Sequence, residues 1–163
     1  MAGIRVRKRK RMREKEIKDL KGRLEDLFGV KVFTEKNVVD FAEGSYFDFV
    51  FVDNEVLGMI YEGKPFLTVR GLLKYKPESY AVTVDMGAVP YVVNGADVMG
   101  PGIVDADPRI EEGNMVWIRD VRNRAPLAVG IAMRDSSSMI SREKGKAIRI
   151  LHTVSDRLWK LDE

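Results

Sequence analysis

The chain has no cysteine and a single histidine, His152. Disulfides, thiolate metal sites and a cysteine nucleophile are therefore excluded, and so are histidine clusters and Cys–His pairs. Glutamine is absent as well, while charged residues make up 33% of the 163 positions. That bias is expected of a thermophile's protein, which avoids thermolabile side chains and draws on ion pairs. No apolar run reaches eighteen residues, and the basic N-terminus has no apolar stretch behind it. Neither a membrane span nor a secretory signal is expected, and the expected location is cytoplasmic. The serines Ser136 to Ser138 stand in no G-x-S-x-G elbow, and neither a Gly-Lys-Thr phosphate loop nor a G-x-G-x-x-G fingerprint occurs. The reading is of a protein that is not an enzyme and needs no cofactor or metal.

What the chain does have is an uneven distribution of charge. Residues 1 to 23 hold eleven Lys or Arg and three acids, a net of +8, while the whole chain carries +3, so the remainder is acidic at −5. The run Arg5, Arg7, Lys8, Arg9, Lys10, Arg11 repels itself and shows no core pattern. Residues 1–11 are accordingly expected to be a flexible basic arm, either solvated or laid against the phosphates of a polyanion.

Behind the arm, Ile17, Leu20, Leu24, Leu27 and Phe28 fall at helical spacing, with Gly29 placed to end the helix. Apolar runs at Val30–Thr34, Tyr46–Val52 and Val56–Tyr61 read as strands, the last two as a hairpin across Asp53-Asn54-Glu55. Phe47, Phe49 and Phe51 alternate along it, and both sheet faces read as covered. Glu62 to Pro65 reads as a turn, and Leu67–Tyr75 as a short helix. Pro77 then marks the boundary of a first domain at 12–77. In the second, 78–163, short strands over Tyr80–Val84, Ile103–Val104, Met115–Ile118, Pro126–Met133 and Ala147–Leu151 are separated by close turn signals. Ser136 to Ser138 read as the cap of a helical stretch from Met139 to about Lys144. Short strands at this spacing predict a small, nearly closed β-barrel with one or two short helices.

The densest signal is Val89-Pro90-Tyr91-Val92-Val93-Asn94-Gly95-Ala96-Asp97-Val98-Met99-Gly100-Pro101-Gly102. Pro90 suits the first turn of a short helix, while Gly95, Gly100 and Gly102 permit positive φ or close approach of a ligand. Such a segment is expected to leave backbone donors free beside a small apolar platform. It resembles the signature of the PUA domain, an RNA-binding module. Glu112-Gly113-Asn114-Met115-Val116, Ala128-Val129-Gly130 and Glu143-Lys144-Gly145-Lys146-Ala147-Ile148 follow in that family's order. In the first half, Gly63-Lys64-Pro65-Phe66-Leu67-Thr68-Val69-Arg70 and Leu72-Leu73-Lys74-Tyr75-Lys76-Pro77 look like the pre-PUA domain of the malignant T-cell-amplified sequence family. The basic arm lies outside this resemblance.

The resemblance implies an α+β N-terminal pre-PUA domain followed by a mostly-β PUA pseudo-barrel with short helices. It further implies a non-catalytic binder of tRNA or small-subunit rRNA, acting in translation initiation or ribosome recycling. The implied partners are RNA, the small ribosomal subunit and a density-regulated-protein-like partner on the pre-PUA domain. RNA requires cations for phosphates, backbone donors and flat surfaces for unstacked bases. The expected RNA-binding residues are Val89, Tyr91, Asn94, Gly95, Ala96, Met99, Gly100, Pro101, Gly102, Lys144, Lys146 and Arg149, with the valines of the segment more often core than contact. The expected phosphate contacts of the arm are Arg5, Arg7, Lys8, Arg9, Lys10 and Arg11. Two other readings stay open. One is a protein-interaction adaptor whose Phe47, Phe49 and Phe51 are partly exposed; the other is an accessory subunit delivering RNA to a separate modifying enzyme. His152 reads as structural, and Asp85, Asp97, Asp105 and Asp107 as turn and amide-bonding residues.

Overall fold

The structure, a computed structural model, describes residues 5–160. It divides into two compact units, one ending at Pro77 and taking up the chain again from Arg157, the other Glu78–Asp156.

The first unit is a five-stranded antiparallel sheet in the order β1-β2-β3-β4-β5, with helices α1 (Glu14–Phe28) and α2 (Val69–Tyr75). Its strands are β1 (Arg7–Arg11), β2 (Val39–Glu43), β3 (Asp48–Val52), β4 (Glu55–Tyr61) and β5 (Lys64–Leu67). Helix α1 buries Ile17, Leu20, Leu24 and Phe28, a stripe at the 3.6-residue period, and Gly29 ends it in the left-handed conformation. The β3–β4 hairpin turns on two residues, Asp53 and Asn54, both at positive φ, as a two-residue turn matched to strand twist requires. Phe47, Phe49 and Phe51 are all buried. Thr68 caps α2 by accepting from the Gly71 N–H, while its own hydroxyl donates to the Val56 carbonyl.

Three expectations fail here. Val30–Thr34 forms no strand, because side chains take its amides: Val32 N–H donates to Glu25 and Thr34 N–H to Asn37. Lys64–Leu67 is a strand rather than part of a turn and helix. Arg7–Arg11 is not a flexible arm but the edge strand β1, antiparallel to β2. Self-repulsion is overcome by Asp40, which accepts from Arg9 Nε at 2.9 Å and from Arg11 Nε at 2.6 Å. The arm residues before Arg5 lie outside the described residues.

The second unit is a six-stranded sheet, β7-β11-β10-β9-β6-β8, antiparallel except for the parallel pair β6–β9. It comprises β6 (Ala81–Val84), α3 (Val89–Val93), β7 (Val98–Met99), a 3₁₀ turn (Gly100–Gly102), β8 (Ile103–Ala106), β9 (Met115–Asp120), β10 (Pro126–Ala132), α4 (Ser136–Ile140) and β11 (Lys146–Thr153). Strands β7 and β8 are the two edges of this sheet, yet only the three-residue turn separates them. Four residue steps span at most about 14 Å, so the edges must curl toward one another into a nearly closed barrel. Its core is Val82, Val84, Ile103, Val116, Ile118, Ala128, Met139 and Ile148, among others. Helix α4 is capped by Asp135, which accepts from Ser138 N–H, and spans the three serines instead of following them. The small mostly-β barrel with short helices is the architecture expected, and α5 (Arg157–Lys160) closes the described chain.

Candidate nucleic-acid interface

The Gly-Pro-Gly turn sits at the seam where the barrel's two edges meet, which explains its composition. Gly100 donates its N–H to Gly145 O, and a β-carbon there would stand 1.7 Å from the Glu143 carbonyl oxygen. Only glycine allows the seam and the 141–145 loop to lie this close. The facing loop is braced by Arg134, whose Nη1 and Nη2 donate to Glu143 O at 2.8 Å and Lys144 O at 2.7 Å. Arg142, at φ 59, reaches across the seam to donate to the Pro101 carbonyl. Neither arginine is prominent in the sequence; the neighbouring Gly145 and Gly100 are the signal that a tight loop needed bracing.

Beside the seam opens a groove of about 300 Å³, lined by Asp85, Gly87, Ala88, Tyr91, Val92, Asp97, Val98, Met99, Pro101 and Gly102. Helix α3 forms one wall, with Pro90 in its first turn. Val92 and Val98 are buried at its base, while Tyr91 and Met99 are 69% and 47% exposed. The segment thus splits into core and surface much as its apolar periodicity suggests. Val89 and Gly102 are half-buried, Asn94, Gly95, Ala96 and Pro101 exposed, and Gly100 buried. Lys144, Lys146 and Arg149 are all exposed on the adjoining loop and strand. Lys146 pairs with Met99 across the β7–β11 ladder, which brings the basic strand end to the groove's apolar lip.

One expectation is corrected. The N–H groups of Gly95, Ala96 and Gly100 are not free donors: they bond to Val92 O, Tyr91 O and Gly145 O. Gly95 takes φ 93 to end α3, so its glycine serves the turn.

The two carboxylates in the groove wall are both engaged. Asp85 accepts from Ala88 N–H at 2.9 Å and lies 3.8 Å from Arg142 Nη2. Asp97 accepts from Ile150 N–H at 3.0 Å and lies 3.3 Å from Lys146 Nζ. Residues 142–149 carry Arg142, Lys144, Lys146 and Arg149; set against Glu143, Asp85 and Asp97 they leave only a small positive excess on this rim. His152 is buried with Nδ1 2.9 Å from Asp156, and Asp107 accepts from Tyr80 N–H, both structural as expected. Among the described residues no group of His, Asp and Glu is arranged to hold a metal ion, and no helix is long and apolar enough to cross a membrane.

A small barrel with this seam has a family counterpart: the PUA domain model matches residues 80–154. The MJ1432 protein of Methanocaldococcus jannaschii is 38% identical over 94% of this chain and 96% of its own length. The chain belongs to the PUA-domain family. Among solved structures, the chain is similar over its whole extent to the crystal structure of protein PH0734.1 from the hyperthermophilic archaeon Pyrococcus horikoshii OT3. It superposes with a TM-score of 0.82 at 29% identity, covering 96% of this chain and 100% of that one. Two relatives carry names from translation. Translation machinery-associated protein 20 of Saccharomyces cerevisiae is 36% identical over 51% of this chain and 50% of its own. Eukaryotic translation initiation factor 2D of Rattus norvegicus is 44% identical over 42% of this chain but only 13% of its own, so the chain spans a small part of that factor. The resemblance to the malignant T-cell-amplified sequence family accords with these matches, and the PUA-domain family ties the protein to RNA.

Proposed function

We propose that this PUA-domain protein is a non-catalytic, cytoplasmic RNA-binding component of the translation machinery, with tRNA or small-subunit rRNA as its ligand. The observation that carries the reading is the half-open apolar groove flanked by Tyr91 and Met99 and bordered by Lys144, Lys146 and Arg149. An unstacked base rests on the Tyr91 and Met99 surface while the cations take the neighbouring phosphates. The names of the yeast and rat relatives support a place in translation. A small-subunit site and a density-regulated-protein-like partner on the first unit belong to this proposal.

The test is binding of unfractionated tRNA and of small-subunit rRNA to the full chain and to Tyr91→Ala/Met99→Ala. Loss of one base-stacking surface is worth about 1–3 kcal/mol, so affinity falls between about 5-fold and 150-fold with the fold intact. Unchanged affinity for both RNAs removes the groove from the mechanism. The adaptor reading needed Phe47, Phe49 and Phe51 partly exposed; their burial withdraws its support.

A further inference from the structure

We propose that the first unit carries a second, preformed RNA-backbone surface: the bulged edge strand β1, with Asp40 and Glu43 setting how much of its positive charge is free. The inference rests on the RNA-binding reading and extends it to a part of the chain the PUA match does not reach.

Seven of the nine residues from Arg5 to Arg13 are Lys or Arg, with no acid among them. All five residues of β1 are exposed. A solvated tail would leave these charges to fluctuate; here they are held. Met12 N–H donates to Val39 O, and the ladder fixes Arg11 opposite Asp40 and Lys10 opposite Phe41. Lys8, at φ 52, makes a bulge between Arg7 and Lys10 that twists the strand edge outward.

The cations then divide by environment. Arg9 is the most engaged: Nε on Asp40, Nη2 on Asn54 Oδ1 at 2.7 Å, and its guanidinium 4.0 Å over the Phe51 ring. Arg11 meets Asp40 through Nε alone, and its side chain stays 65% exposed, so its outer N–H groups face solvent. Lys8 stands 3.9 Å from Glu43 and is 71% exposed. Arg7 and Lys10 have no acidic partner among the described residues. Two carboxylates therefore offset part of the strand's five cations, leaving about three charges along the exposed edge, the sign that a phosphate backbone complements.

Edge strands commonly carry Lys to discourage pairing with other sheets, and one or two charges suffice for that. A continuous run, anchored by a carboxylate buried beneath it, exceeds that need. Cations on a backbone held in a strand also lose less conformational freedom on meeting phosphate than those of a tail.

The salt dependence of binding unfractionated tRNA tests this on the full chain. Each phosphate contact contributes about one unit to the slope of log K against log salt. Arg7→Ala/Lys10→Ala, both exposed and outside the core, should lower the slope by about two. Glu43→Gln, which frees Lys8, should raise it and tighten binding several-fold at low salt. Circular dichroism melts confirm that each variant folds. An unchanged slope in the double variant, with groove variants still weakening binding, overturns this surface while leaving the RNA reading intact. Retained affinity in both sets removes this surface and the groove alike; failure of the unsubstituted chain to bind tRNA or small-subunit rRNA overturns the RNA reading itself.

Discussion

At Gly100 a β-carbon would meet the Glu143 carbonyl at 1.7 Å and Arg134 Nη1 at 2.7 Å, both part of the braced loop. Gly100→Ala should therefore cost about 1–3 kcal/mol by overpacking and open the seam between the 3₁₀ turn and the 141–145 loop. Urea denaturation measures it, with Gly95→Ala as a comparison whose cost comes from φ 93 alone, since nothing lies within 4 Å of that position. Both glycines stand out in the sequence, yet for different reasons that the sequence does not separate. Gly95 is a turn residue; Gly100 marks two segments in contact forty-three positions apart. Tyr91 and Met99 are legible as surface because they flank Val92 and Val98 at helical and strand spacing. Arg142 and Arg134 are not, because their roles depend on carbonyls contributed by another turn.

Strand β1 is held at the element scale by one carboxylate. Burial alone would push the Asp40 carboxyl up, but hydrogen bonds from Arg11 and Arg9, with their charges, outweigh it and hold it below the usual aspartate range. A carboxyl lowered on folding contributes stability that is present above its unfolded value, about 3.9, and is lost as pH falls through the folded value. The first unit should therefore weaken below about pH 4 as Asp40 takes up a proton and releases the strand. Asp40→Asn should lower stability at pH 7 by about 1–2 kcal/mol and flatten the acid side of the melting-temperature profile. A variant with the wild-type acid profile would show that the carboxylate does not anchor β1.

Those elements whose signal is local were legible: α1 by its apolar stripe and Gly29, the β3–β4 hairpin by Asp53-Asn54, and β6, β9, β10 and β11 by β-rich runs between turns. The misread elements depend on distant partners. Six basic residues look like a tail until Asp40, some thirty positions later, pairs with Arg9 and Arg11. Val30–Thr34 looks like a strand until Glu25 and Asn37 satisfy its amides.

Across the whole molecule, the chain divides into two compact units, and the described residues from Arg157 belong with the first. Trp159 is tied there by Arg70, whose guanidinium lies 4.2 Å from the indole ring and donates to the Trp159 carbonyl at 2.8 Å. A proline that ends a helix is a local signal, whereas the contact of Arg70 with Trp159 joins residues 89 positions apart. The second unit is a barrel whose seam makes a groove, and this pairing of closure and cleft is the basis of the functional account. The most direct test is photocrosslinking of 4-thiouridine-substituted tRNA to the full chain, with the attached peptides identified by mass spectrometry. The account predicts adducts in the peptides holding Tyr91, Met99 and Lys144 to Arg149; adducts confined to other surfaces, with those peptides unmodified, would contradict it.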